Sequence, residues 1–163
     1  SGARRLTLFP RAPHWWFEDI VVGRTWEFGA AKVTAEDVAL FHERFAPTMQ
    51  DKAPEAGRED RGPRAAESHV YALWRMMVYD ETRSWPIVQR QAQDALRFYK
   101  AVYAGDVLSV RMAFAATEDR GPQGGILISE HEVMDQDGLL VMSVLMRTLL
   151  SRRPPGLTED PEP

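Results

Sequence analysis

Few side chains in this sequence can move a proton near neutral pH, and three of them sit at the two ends of one loop. Asp51 lies just inside a charged, proline-containing stretch, while Glu67 and His69 open the apolar segment that follows it. A carboxylate and an imidazole brought together can hold a water and shuttle its protons, the minimum for general acid–base work. The trio would converge where the loop meets the segment's start. Each member also has a plain structural role open to it. Glu67 can serve as an acid at a helix N-terminus, favoured by the helix dipole, and His69 can pack or hydrogen-bond in a core. A second pairing, Asp37 with His42, has similar separation but falls inside a helical pattern. Five residues turn about 140° around a helix axis, which points those two side chains apart. His14 and His131 have no acidic or metal-ligand companions at useful spacing, so no metal site is expected.

The elements that must position these residues follow from periodicity. Trp15-Trp16-Phe17 is an aromatic cluster expected to anchor an N-terminal arm (1–14) on the core. Gly23 begins a turn, and Thr25–Phe28 alternates as a short strand. Thr34 followed by Asp37 marks a helix start, since the hydroxyl can take a free backbone N–H. Val38, Phe41 and Phe45 share a face of that helix, and Pro47 ends it near Phe45. Residues 46–66 hold Pro47, Pro54 and Pro63 with many charges, a surface loop of a length that is usually functional. From Ser68 a second helix runs to the Ser84-Trp85-Pro86 break. Its apolar face (Val70, Leu73, Trp74, Met77, Val78) is broad enough to make it central rather than a surface cover. Strands are expected at 95–102, 107–117, 126–134 and 139–150, the last two joined by Asp135-Gln136-Asp137-Gly138, where Asp-Gly accommodates positive φ. The acidic, proline-rich stretch 154–163 reads as a disordered tail. The layout is α+β: one long helix followed by antiparallel strands able to curl around it.

Composition narrows the function classes. A chain of 163 residues, 44% hydrophobic and 27% charged, suits a single globular domain over residues 15–153. Net charge is −4 with no long basic run, which argues against nucleic acid as a partner. The absence of cysteine excludes disulfides, thiolate catalysis and zinc–thiolate sites. The longest apolar run, near 139–146, is too short to span a bilayer as a helix. Ser1-Gly2 reads as a cloning remnant, no basic-then-apolar leader pattern follows, and a cytoplasmic protein is expected.

Four segments in order resemble MaoC-like acyl dehydratases, the R-specific enoyl-CoA hydratase family. They are Phe17-Glu-Asp-Ile-Val-Val-Gly-Arg-Thr-Trp-Glu-Phe-Gly, Val33-Thr-Ala-Glu-Asp-Val-Ala-Leu-Phe, Leu96 through the Gly105-Asp106 turn to Val110, and Asp135-Gln-Asp-Gly-Leu-Leu-Val-Met-Ser. The resemblance covers roughly residues 16–153. It implies a single hotdog domain, an antiparallel sheet wrapped around a long central helix. It further implies a homodimer, no separate cofactor, and a coenzyme A ester as substrate or ligand. The implied reaction is reversible hydration of an enoyl thioester, with a backbone N–H at the central helix start stabilising charge on the thioester oxygen.

The motif that carries this chemistry, Asp-x-Asn/Gln-Pro-x-His, is not retained. Ala46 stands in the aspartate position, Asp51 in the histidine position, and Glu67 where a glycine usually opens the central helix. Alanine cannot act as a base. Three functions therefore compete. One is a hydratase or dehydratase using Glu67, His69 and Asp51 instead. Another is a hotdog thioesterase whose Glu67 activates water or attacks the thioester carbonyl. The last is a non-catalytic acyl-ligand binder, or a subunit paired with a homologue that keeps the motif. Arg97 and Lys100 could meet phosphates, but a solvated strand face explains them equally.

Overall fold

The computed structural model describes residues 15–50 and 57–157. The expected arm at 1–14, most of the expected tail, and Asp51 lie outside them. Five strands and two helices follow in the order β1 (Thr25–Lys32), α1 (Ala35–Phe45), α2 (Glu67–Thr82), β2 (Ile87–Phe98), β3 (Val107–Asp119), β4 (Gly125–Met134) and β5 (Leu140–Leu150). All pairings are antiparallel, and the sheet order is β1-β3-β4-β5-β2. The α+β expectation of one sheet packed on one long helix is what the chain forms.

Sequence and structure agree best where the local chemistry is strongest. The Thr34 hydroxyl accepts the Asp37 backbone N–H at 3.1 Å, which caps α1. Pro47 stops α1 at Phe45, and a single 3-10 turn (Pro47–Met49) follows. They part where burial and periodicity conflict. Of the three apolar residues assigned to one face of α1, Val38 is fully buried but Phe45 is exposed; His42 takes the inner place instead. The strand expected at 95–102 is β2, which starts at Ile87 and stops at Phe98. It is an edge strand with mostly exposed side chains, so its Gln- and Arg-rich first half carried no apolar alternation to read. Beyond it, Val102 leaves the sheet to accept the Ala65 N–H at 2.8 Å. β1 extends past Phe28 through a bulge, with Gly29 at φ +78° beneath Met77.

The core lies between α2 and the inner face of the sheet. Val70, Trp74, Met77 and Val78 of α2 meet Leu108, Val110, Met112 and Phe114 of β3, and Met142, Val144 and Met146 of β5. Two buried polar features hold this arrangement in register. Trp74, wholly buried, donates its indole N–H to His131 Nδ1 at 3.0 Å. That fixes the ring hydrogen on Nε2, which lies 2.8 Å from Ser129 Oγ. Burial, with the Arg75 charge adding to it, lowers the His131 pKa to about 3, so the ring is neutral in the folded protein. The second feature is Asp106, buried after the Gly105 turn. It accepts the Tyr103 N–H at 2.9 Å and the Gln136 side-chain amide at 3.1 Å, and forms an ion pair with Arg61. One carboxylate thus ties the long loop, the β3 entrance and the β4–β5 turn together. Leu139 and Asp137 N–H groups bond Asp135, whose carboxyl pairs with Lys100. Burial alone would push the Asp135 pKa up, but those donors outweigh it and hold it low.

The N-terminal aromatics anchor on the core as expected. Trp15 stacks on Trp26 with ring centroids 6.4 Å apart, and the Phe17 ring covers Gly125 so closely that a Cβ there would lie 2.2 Å from it. Gly125→Ala should therefore displace Phe17 and lower the unfolding midpoint; an unchanged midpoint would show that the aromatic cap contributes nothing. His131 predicts a pH dependence. Its folded pKa lies below the unfolded 6.5, so the stability it confers is complete above pH 6.5 and is lost as pH falls toward about 3. Denaturant unfolding of the wild type should weaken across that window, and His131→Gln should flatten the slope.

Candidate functional site at the start of the central helix

The resemblance directs attention to the first turn of α2. Ala66 occupies the N-cap in an extended conformation (φ −64°, ψ 149°) and offers no side chain to the turn. The leading N–H groups of a helix have no intrahelical acceptors and carry the positive end of its dipole. This end of α2 borders a cleft of about 160 Å³. Arg64, Ala65, Glu67 and Val70 form one wall, and residues 98–102 the other. Its position is set by the loop before it, which Arg64 pairs to Tyr103 as an isolated β-bridge and Ala104 binds through the Pro63 carbonyl. The cleft is thus a product of the Asp106 clamp.

Glu67 and His69, both named from the sequence, do not share this cleft. Glu67 is exposed on its wall. His69, two residues along the helix, faces α1 instead, with its ring stacked on Phe41 at 4.8 Å and 5° between planes. Side chains two apart on a helix point about 200° away from each other, which is why no rotamer of His69 restores the pairing. Asp51 lies outside the described residues. Ala46, in the position of the motif's aspartate, is the C-cap of α1 and donates its N–H to the His42 carbonyl at 3.1 Å.

The structure adds a residue that the motif did not mark, His42. It is buried beside His69, and among the described residues neither His42 Nε2 nor His69 Nδ1 has a hydrogen-bond partner. The signal was present in the spacing: His42 is four residues after Val38, on the same stripe of α1, so a helix that buries Val38 buries His42. Burial lowers the His69 pKa; the Asp37 charge opposes this and His42 reinforces it. His69 is covered by Phe41, and neither imidazole lines the Glu67 cleft. The site therefore presents a helix N-terminus and a carboxylate to a ligand, and withholds its imidazoles. Such a site can receive a polarised carbonyl at the leading N–H groups of α2. A negative charge growing beside Glu67 would be opposed rather than stabilised. Among the described residues no group of three or more His, Asp or Glu side chains is arranged to hold a metal ion. Among those same residues no helix is long and apolar enough to cross a membrane.

With the architecture in hand, comparison with known proteins gives the fold its class. The chain has the hotdog fold, and solved MaoC-like dehydratases and R-hydratases share it. An X-ray structure of a monoamine oxidase regulatory protein from Archaeoglobus fulgidus superposes with a TM-score of 0.75 at 24% identity, over 88% of this chain and 98% of that one. The MaoC-like dehydratase from Rhodospirillum rubrum gives 0.71 at 21% identity, over 86% and 99%. A Mycobacterium tuberculosis protein with a double hotdog fold gives 0.67 at 15% identity, covering 90% of this chain and 46% of that one. By sequence alone, no family model and no curated protein matches.

The electrostatics around His69 can be checked directly. Because Asp37 raises its pKa and His42 lowers it, Asp37→Asn should move the His69 titration to lower pH and His42→Gln to higher pH, read by histidine ring NMR. Shifts of the opposite sign would remove the coupling.

Proposed function

We propose that this chain is an acyl-thioester-binding hotdog protein of the MaoC-like dehydratase and R-hydratase type, with a divergent active site that lacks the standard hydratase pair. The observation that carries this reading is the separation at the start of α2. Ala46 stands where the motif's carboxylate belongs, and the nearest imidazole, His69, is buried against Phe41 instead of lining the Glu67 cleft. A helix N-terminus beside a cleft still suits a thioester carbonyl. A coenzyme A ester is the ligand chemistry we assign, with no separate cofactor, and the cytoplasm is where we expect it to be met.

Such a subunit would work as a homodimer or beside a homologue that supplies the missing pair. The hydroxyacyl-ACP dehydratase HadBC of Mycobacterium tuberculosis, a structural neighbour with a TM-score of 0.57, is itself a two-component complex. One competing reading rests on a specific feature: Glu67 is exposed on the cleft wall at the positive end of α2, where a thioesterase would place a carboxylate to activate water.

A matched set of assays separates these readings. Titration with acyl-CoA esters should show saturable binding. Hydration of enoyl-CoA by the isolated chain should stay at the buffer rate, as should release of free thiol. Hydration that falls on Glu67→Ala, His69→Ala or Asp51→Ala would replace this proposal with a hydratase. Thiol release abolished by Glu67→Gln would replace it with a thioesterase.

A further inference from the structure

A second cleft, of about 410 Å³, opens between the later half of α2 and the start of β2, with Arg75, Tyr79, Thr82, Trp85, Gln89 and Arg90 on its walls. Arg75 is eight residues along α2 from Glu67, roughly 12 Å of helix, so this is not the cleft already described. Its charges are unusual. Arg75 Nη1 is shielded from solvent and, among the described residues, has no hydrogen-bond partner. The only partner recorded for this guanidinium among the described residues is the face of Trp74, 5.6 Å from the ring centroid. Arg90 donates to Thr82 Oγ1 at 3.0 Å, and that hydroxyl already gives its hydrogen to the Val78 carbonyl at 2.7 Å.

Among the described residues neither arginine forms an ion pair with a carboxylate. The nearest acid on this stretch of helix, Asp80, faces Arg83 at 3.7 Å in full solvent. His131 is neutral and supplies no countercharge. Burial holds the Arg90 guanidinium below its usual range, and the Arg75 charge pushes it the same way, with Tyr79 acting weakly against both. Two partly desolvated cations placed together repel, and each leaves hydrogen-bond donors unused. An oxyanion answers both needs at once, because guanidinium forks match carboxylate and phosphate oxygens in pairs. The neighbouring Trp85 and Ile87 give the same cleft an apolar wall.

We propose that Arg75 and Arg90 form an oxyanion site in this cleft, which takes the carboxylate or phosphate group of a small ligand. The full-length chain is titrated with inorganic phosphate and, separately, with benzoate, at ionic strength held constant by chloride. Saturable binding of at least one, with a raised unfolding midpoint, is the expected result. Saturation by phosphate alone assigns a phosphate group, and saturation by benzoate alone a carboxylate. Arg75→Gln and Arg90→Gln should each weaken binding by about tenfold or more, while Arg44→Gln, exposed on α1, should leave it unchanged. If the glutamine variants do not fold, Arg75→Lys and Arg90→Lys keep the charge but lose the fork, and their affinity should still fall; unchanged affinity would overturn the site. So would the absence of saturation with both anions, or an equal loss in Arg44→Gln. Glutamine variants that fall from oligomer to monomer with no anion binding in the wild type would overturn it too, by assigning the two arginines to a second copy's carboxylates.

Discussion

A buried tryptophan N–H must find an acceptor, and in this fold the acceptor decides how the central helix is turned. Trp74 sits wholly inside the core, where an unpaired indole N–H would cost on the order of 1–3 kcal/mol. His131, pointing inward from β4, supplies the acceptor at Nδ1, which leaves its ring hydrogen on Nε2 facing Ser129 of the same strand. Once that bond is made, the rotation of α2 about its axis is set. Glu67 then faces the cleft beside β2, His69 faces α1, and Arg75 falls next to Arg90. The chemistry offered at both ends of the helix follows from one hydrogen bond in its middle.

The position of α2 along its own axis has a different origin. Asp106 draws together Arg61 from the long loop, the Tyr103 backbone and Gln136 from the β4–β5 turn. These three segments are remote in sequence, and the loop is the immediate lead-in to the helix. Those donors replace the water that the carboxylate gives up when it is buried. The Gly-Asp pair at the entrance of β3 is thus a structural clamp on the first turn of α2. Exposed ion pairs such as Arg83 with Asp80 contribute little by comparison.

Much of this was legible in the sequence, for reasons that can be traced residue by residue. Thr34 and Pro47 delimit α1 through local bonding rules that tertiary structure seldom overrides. β3 was legible because it alternates and buries one face along most of its length, and β5 because it is the most apolar of the strands. The first half of β2 was not, since an edge strand exposes side chains of either face. His42 escaped because burial was assigned to apolar residues, and an imidazole on the inner stripe of α1 reads as polar until the helix is docked. The substitution at Ala46 needed no structure to be seen. What only coordinates supply is that Glu67 and His69 diverge, a matter of helix phase that sequence spacing implied but the idea of a converging trio ignored.

The edge of the sheet carries a last consequence. β2 departs from regular register at three places along β5, and Ala95 holds a left-handed backbone at φ +53°. A strand so broken cannot present an unbroken ladder of N–H and C=O groups to a stranger. Flat, regular edges recruit other chains indiscriminately and seed fibrous aggregates; irregular ones admit only a strand shaped to the same breaks. The irregularity of β2 is therefore a safeguard for solubility, written into the backbone rather than into surface charge.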